Sequence, residues 1–405
     1  MPLKFFISAG EASGEYYGAL LIDALKRRLA GEDPVFFGMG GPRMVAAGLD
    51  RVVRAEDMAV MGVTEVVLHL PRIYREFRKL RQSVRDRRPD VAILIDFPDI
   101  HFRLARELHS LGIPVIYFVS PQLWAWKKHR IELVRKYVDR MVVIFPFEES
   151  FYRERGVRAD FVGHPLAEAA LPSISREQFA AENGLNTDRT WIGLLPGSRI
   201  TEIQDHLPEM LEAARQLSES SPSTQHPNEA YEYVVPLAPT LNAAQRDQVQ
   251  RLVQSRGGTL PVRLVNDARA ALLHARASIV ASGTATVEAA LIGNPFVVVY
   301  RVSPVTYAIA QRVVDVPHVA MVNLIAEKRI VPELIQKDFT ASKIVQHLAP
   351  LLPDGPPRES MKQELQGIRS ALRAQPKAAA GEATGSIERL ASIVLDQVST
   401  ADAKR

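Results

Sequence analysis

Short apolar runs of strand length alternate with amphipathic runs of helix length along most of this 405-residue chain. "LKFFISA" (3–9) precedes "GALLIDALKRRLA" (18–30), and "PVFFGMG" (34–40) precedes "GPRMVAAG" (41–48). "DVAILIDF" (90–97) precedes "FRLARELHSLG" (102–112), and "PVIYFVS" (114–120) and "RMVVIFP" (140–146) follow. Apolar runs this short, bounded by Gly and Pro, read as strands covered on both faces, and the segments between them carry helical periodicity. Strand-then-helix repetition predicts an α/β fold, with helices on both faces of a parallel sheet.

The pattern restarts after Pro165: "WIGLLPG" (191–197), "HLPEMLEAARQLSES" (206–220), "YEYVVPLA" (231–238), "NAAQRDQVQRLVQSRG" (242–257), "VRLV" (262–265), "ARAALLHA" (268–275), "ASIVASG" (277–283), "TATVEAALIG" (284–293) and "PFVVVYR" (295–301). The length suffices for two cores. We expect an N-terminal domain over 1–168, a C-terminal domain over 169–345 and a helical tail over 346–405, free to pack back on the first domain. "SPSTQHPNEA" (221–230) reads as a polar loop and "AQPKAAAGEATGS" (374–386) as loosely ordered.

Apolar residues make up 47% and charged residues 24%, a balance typical of soluble globular chains. The chain has no Cys, which removes disulfides, thiol nucleophiles and Cys-ligated zinc from consideration. The first apolar run leads into a glycine turn and reads as a core strand, not a signal peptide. No stretch reaches the roughly 18 apolar residues of a membrane span, so the expectation is a soluble or peripheral protein. Net charge is +4, and "RIYREFRKLRQSVRDRR" (72–88) holds eight Lys/Arg against Glu76 and Asp86. A second basic stretch is "KKHRIELVRKYVDR" (127–140). Such faces meet solvent, phosphate or anionic lipid. The apolar "MAVMGVTEVVLHL" (58–70) runs into the first of them and suits interfacial binding.

Ligands of open parallel sheets bind beyond the carboxyl ends of the strands. One buried run delivers Ser282, Gly283 and Thr284 to the first turn of a helix, where unpaired N–H groups and the dipole favour an anion. Glu288, one turn further on, is placed to accept bonds from a ribose. Arg199, in "LLPGSRITEI" (194–203), follows another strand. Its planar, always-charged fork suits a diphosphate, and an ion pair with Glu202 or Asp205 is the alternative. In "DFPD" (96–99) two acids flank a proline, too few oxygens for a divalent metal. Asp96 follows four apolar residues, so partial burial would raise its pKa and suit a general base. Asp99 reads rather as a helix cap and substrate contact. Glu11 and Glu15, in "SAGEASGE" (8–15), are alternative bases or hydroxyl ligands, with Ser13 between them. His164 is either a hinge or a core histidine. "GMGGPRM" (38–44) has Arg43 where the third glycine of a dinucleotide fingerprint belongs, and there is no P-loop.

"SAGEASGE", "GMGGPRM", "MAVMGVTEVV", "DFPD", "VSPQLWAW", "VGHP", "LLPGSR", "ASGTATVEAAL" and "VVVYR" occur in this order. Together they resemble the lipid-A-disaccharide synthases, inverting glycosyltransferases of family 19, over about 3–352. "SGTATVEAALIGNP" alone is shared with many UDP-sugar enzymes, UDP-N-acetylglucosamine 2-epimerase among them. "VSPQLWAW" and "DFPD" favour the lipid A enzymes. The resemblance implies a GT-B architecture, with two Rossmann-like domains facing a central cleft. It implies condensation of UDP-2,3-diacylglucosamine with 2,3-diacylglucosamine 1-phosphate into a β-1,6-linked disaccharide 1-phosphate and UDP. It implies a C-terminal domain holding UDP and an N-terminal domain holding acyl chains and acceptor. Asp96 and Arg199 match positions linked to catalysis, and Glu288 and Asn323 match positions lining the nucleotide pocket. Glu15 stands where Asp is commoner in the family. No metal, cofactor or nucleic acid is implied. The expected location is the cytoplasmic face of the inner membrane, on an anionic surface, and a homodimer is compatible. Rival readings are another UDP-sugar enzyme of the same fold and a non-catalytic peripheral membrane protein.

Overall fold

The structure is a computed structural model that describes residues 2–58, 63–126, 128–220, 231–303, 307, 316–373 and 385–402. The polar loop 221–230, most of the segment 374–386 and Lys127 lie outside the described residues, as do residues 59–62 of the apolar stretch 58–70, whose later part opens the helix Val63–Arg87.

Among the described residues, thirteen strands form two sheets in which every pairing is parallel. The first contains β1 (Lys4–Ala9), β2 (Val35–Gly40), β3 (Asp50–Arg54), β4 (Val91–Ile95), β5 (Val115–Phe118), β6 (Arg140–Val143) and β7 (Ala159–Phe161). Their order is β3-β2-β1-β4-β5-β6-β7. The second contains β8 (Thr190–Leu195), β9 (Tyr231–Pro236), β10 (Val262–Val265), β11 (Ala277–Ala281), β12 (Phe296–Tyr300) and β13 (Glu333–Ile335), in the order β10-β9-β8-β11-β12-β13. Every residue of the central strands β4 and β11 is buried, because helices cover both faces. The strands that leave no apolar run in the sequence are β3 ("DRVVR"), β7 ("ADF") and β13 ("ELI"). All three are sheet edges, where one side has no strand to pack against.

The chain divides into two units, Met1–Glu168 with Leu372–Arg405, and Ala169–Ala371. The tail is therefore split. Residues 346–371, grouped above with the tail, belong to the second unit. The helix Pro356–Ala371 buries Met361, Leu365 and Ile368 there, and the Phe296 N–H at the start of β12 points at the Met361 sulfur, 3.4 Å away. The helix Ser386–Asp402 belongs to the first unit. It buries Leu390, Ala391, Val394 and Val398 in the same cluster as Leu21, Leu25 and Ile93. Arg27 and Arg28 pair with Glu388 at 2.7 and 2.9 Å, and Glu168 accepts from the Ser386 N–H and hydroxyl. His164 is a core residue of this unit. Burial lowers its pKa to about 3, its Nδ1 accepts from the Leu166 N–H, and its own N–H donates to the Leu372 carbonyl.

Candidate active site

In the first unit the strand order reverses between β1 and β4, and such a switch point opens a crevice beyond the carboxyl ends of the two strands. Glu11, the N-cap of the helix Ala12–Arg28, follows β1, and Ser13 and Glu15 sit in that helix's first turn. Asp96 and Phe97 follow β4 and lead into the helix Pro98–Ser110. Glu15 has a structural job: its carboxylate accepts the Arg43 N–H at 2.8 Å, at the start of the short helix Pro42–Ala46. Asp99 is 73% exposed and pairs with Arg130 at 2.7 Å. Asp96 is different. Burial raises its carboxyl to about 6, and the nearby Glu11 charge pushes the same way. A carboxyl near 6 is ionised at neutral pH and basic enough to take a proton. Of the two acids in "DFPD", Asp96 has the environment of a base.

Its backbone is unusual too. Asp96 and Phe97 both have φ of +52°, a left-handed conformation that costs non-glycine residues roughly 1–3 kcal/mol each. The surroundings hold it. The Tyr117 hydroxyl and His101 Nδ1–H both donate to the Asp96 carbonyl at 2.6 Å. His101 Nε2 accepts from the Ser8 hydroxyl of β1 at 2.8 Å. Burial lowers the His101 pKa to about 4, so the ring is neutral. The Phe97 ring lies over Gly10, where a Cβ would meet it at 2.5 Å.

In the second unit the order reverses between β8 and β11. Arg199 follows β8, and Ser282, Gly283 and Thr284 follow β11, so the two motifs lie beside one switch point. Gly283 has φ of +146° and is the N-cap of the helix Thr284–Ile292. A Cβ there would meet nothing, so backbone conformation and not space calls for glycine. The Ser282 hydroxyl donates to the Val319 carbonyl at 3.4 Å. Glu288 is held protonated more readily than an ordinary Glu by burial, with Arg269 opposing and Asp267 assisting.

Arg199 is exposed and pairs with Glu202 at 3.1 Å. The other Glu202 oxygen accepts from the Ser198 and Arg199 N–H groups at 3.1 and 3.3 Å. An internal carboxylate thus sits where a cation and the start of the helix Ile200–Ser220 favour an anion. Asn323 is fully buried, and its amide is saturated. It donates to the Val331 carbonyl and the Glu333 carboxylate, and it accepts from the Ile330 and Val331 N–H groups. These four bonds shape the 327–333 turn.

Comparison with known proteins decides the family. Residues 5–386 match the family model for lipid-A-disaccharide synthetase. The chain is 59% identical over 378 residues to the lipid-A-disaccharide synthase of Acidobacterium capsulatum, covering 91% of this chain and 92% of that one. It is 50% identical over 371 residues to that of Koribacter versatilis, covering 92% and 94%. The chain belongs to the lipid-A-disaccharide synthase family. Members of this family are glycosyltransferases of lipid A biosynthesis, and the two parallel-sheet units are those of the GT-B fold. Two solved structures show the fold alone. The UDP-GlcNAc 2-epimerase of Neisseria meningitidis bound to UDP-GlcNAc has a TM-score of 0.59 at 11% identity, covering 99% of this chain and 100% of that one. The calicheamicin glycosyltransferase CalG4 has a TM-score of 0.58 at 18% identity, covering 98% of each.

Among the described residues no helix is long and apolar enough to cross a membrane. Six of the eight cations in 72–88 are paired: Arg72 with Asp57, Arg75 and Lys79 with Glu76, Arg81 and Arg85 with Glu107, Arg87 with Asp50. The face is a lattice of ion pairs more than a bare positive patch. Among the described residues no group of three His, Asp or Glu side chains is placed to hold a metal ion.

The sequence reading missed Ser8, His101, Tyr117 and His206. His206 is buried; its Nδ1–H donates to the Pro196 carbonyl at 2.7 Å and its Nε2 accepts the Arg301 N–H at 3.0 Å, tying the end of β8 to the end of β12. It also missed Glu148, whose carboxyl burial raises to about 8 and which accepts from the Trp124 indole at 3.1 Å. A signal existed for both histidines. His101 shares a helical face with Leu104, Ala105 and Leu108, and His206 with Ile203, Leu207 and Met210.

Proposed function

We propose that this chain transfers 2,3-diacylglucosamine from its UDP derivative to the 6-hydroxyl of 2,3-diacylglucosamine 1-phosphate, releasing UDP. Asp96 is the base. As the acceptor oxygen attacks the anomeric carbon, the bond to the UDP oxygen breaks and the hydroxyl proton passes to Asp96; one in-line displacement inverts the centre. Arg199 leaves Glu202 and pairs with the diphosphate, and the Ser282–Gly283–Thr284 turn meets it with N–H groups, stabilising charge that develops on the leaving group. Glu288 lies one turn into that helix for the ribose, and Glu11, Ser13 and Asp99 line the acceptor side. The acyl chains require the enzyme to work at a bilayer surface, which makes it a peripheral protein on the cytoplasmic face. The observation that carries the reading is Asp96, half-buried with its carboxyl raised to about 6, at the switch point of a unit in this family. Incubation with both acylated sugars should give equimolar UDP and a disaccharide phosphate by mass spectrometry. UDP release without a disaccharide, or conversion of UDP-N-acetylglucosamine to its epimer, would reject it.

A further inference from the structure

The Asp96 carboxylate cannot be aimed without its own backbone being aimed first. Two consecutive left-handed residues end β4, and φ of +52° is foreign to Phe97 in particular. An isolated chain would relax to an extended or right-handed turn. Three groups from three different elements prevent that. His101 comes from the helix Pro98–Ser110, Tyr117 from β5, and Ser8 from β1. His101 and Tyr117 both donate to one oxygen, the Asp96 carbonyl, at 2.6 Å. Ser8 contributes at one remove. The Asp96 carbonyl can only accept, so the ring proton resides on Nδ1, and Nε2 is left to accept the Ser8 hydroxyl at 2.8 Å. All three side chains are fully buried.

We infer that Ser8, His101 and Tyr117 form a clamp that positions Asp96 for catalysis, with Ser8 holding the histidine ring in place through Nε2. This rests on Asp96 being the base. The three residues touch no substrate in this scheme; they are positioning residues acting through the Asp96 backbone. Without the clamp the Asp96–Phe97 turn relaxes and the carboxylate swings toward water. Its charged form is then better solvated, so its pKa falls from about 6 toward the ordinary Asp value. Glu11 is the charged neighbour that faces Asp96 from the loop after β1, and it is untouched by these changes.

The test compares Ser8→Ala, Tyr117→Phe, His101→Leu and His101→Asn in the full-length enzyme. The first two each delete one hydroxyl. Asparagine keeps an N–H near the Nδ1 position, whereas leucine keeps none. Misplacing a reacting group by about 1 Å costs on the order of 10²-fold in rate. His101→Leu should therefore lose about 10²-fold in kcat with KM for both sugars within about twofold, and His101→Asn should recover roughly a tenfold part of it. Ser8→Ala and Tyr117→Phe should each lose several-fold, and in all four the acidic limb of kcat/KM should move to lower pH. A lower melting temperature with kcat and the acidic limb as in wild type would overturn the clamp and leave these residues as packing. Should His101→Leu not fold, the two hydroxyl deletions carry the same test. Asp96→Asn separates the two ideas. If it is dead while the clamp variants behave as wild type, the clamp alone fails; if it turns over normally, the base assignment fails and the clamp with it.

Discussion

The ends of β4 and β8 are built alike and used differently. Each lies at the switch point of a parallel sheet, and each is followed by a helix carrying a buried histidine whose Nδ1–H donates to a carbonyl at the strand end: Asp96 for His101, Pro196 for His206. There the likeness stops. The β4 end half-buries its acid, and that desolvation drives the carboxyl to about 6. The β8 end leaves Arg199 in solvent with a single carboxylate partner on its own helix. A base must be desolvated to hold a proton near neutral pH, while a phosphate ligand must remain charged and reachable. In the proposed mechanism the same scaffold supplies both by changing how deeply the strand-end residue is buried.

The strongest way to break this contrast is to neutralise the acid. Asp96→Asn should cut kcat by roughly 10² to 10⁴ while the UDP dissociation constant, measured calorimetrically, stays as in wild type. Next comes the cation. Arg199→Ala should cut kcat by about 10² to 10³ and also weaken UDP binding, because a charge-assisted contact to the diphosphate is lost in ground and transition states alike. If Asp96→Asn weakened UDP binding and Arg199→Ala did not, the division of labour between the two strand ends would be reversed.

A smaller effect sharpens the comparison of the histidines. His206→Phe leaves the Pro196 carbonyl and the Arg301 N–H without their partner, at about 1–3 kcal/mol each. Its melting temperature should drop and its UDP affinity weaken, with the acidic limb of kcat/KM unmoved, in contrast to the His101 variants. The smallest effect concerns charge. As the proposed base Asp96 would act deprotonated, and its pKa is raised to about 6. Activity should therefore plateau above pH 6 and fall as pH drops below it. His101, with a pKa of about 4, stays neutral over that window. Glu11→Gln removes a negative charge that raises the Asp96 pKa, so the limb should shift to lower pH, by less than about one unit. A shift to higher pH would mean that Glu11 acts on Asp96 other than through its charge.

Much of this was legible in the amino-acid order. Asp96 stands out as an acid directly after an apolar run, Arg199 as a cation just past the Pro-Gly turn that ends one, and Gly283 because a helix follows it at once. Asn323 is the opposite case. An Asn in "MVNLI" carries no sign of whether its amide is free, and only the turn 327–333 folding over it uses up all four of its hydrogen bonds. The basic stretch 72–88 is a similar case. Its neutralising partners Asp50, Asp57 and Glu107 come from elsewhere in the chain, so the local charge count overstates the field that a membrane would feel.

Periodicity is a property of neighbours in the chain, so the sequence alone determined the parallel α/β class, the central strands and the residues at their ends. Strand order is a property of packing. Only the tertiary structure set β1 beside β4 and β8 beside β11, created the two switch points, and brought Ser8, His101 and Tyr117 from separate elements onto one carbonyl. The left-handed turn at Asp96 belongs to that second class, because a conformation strained in the free chain persists only where distant groups bond to it.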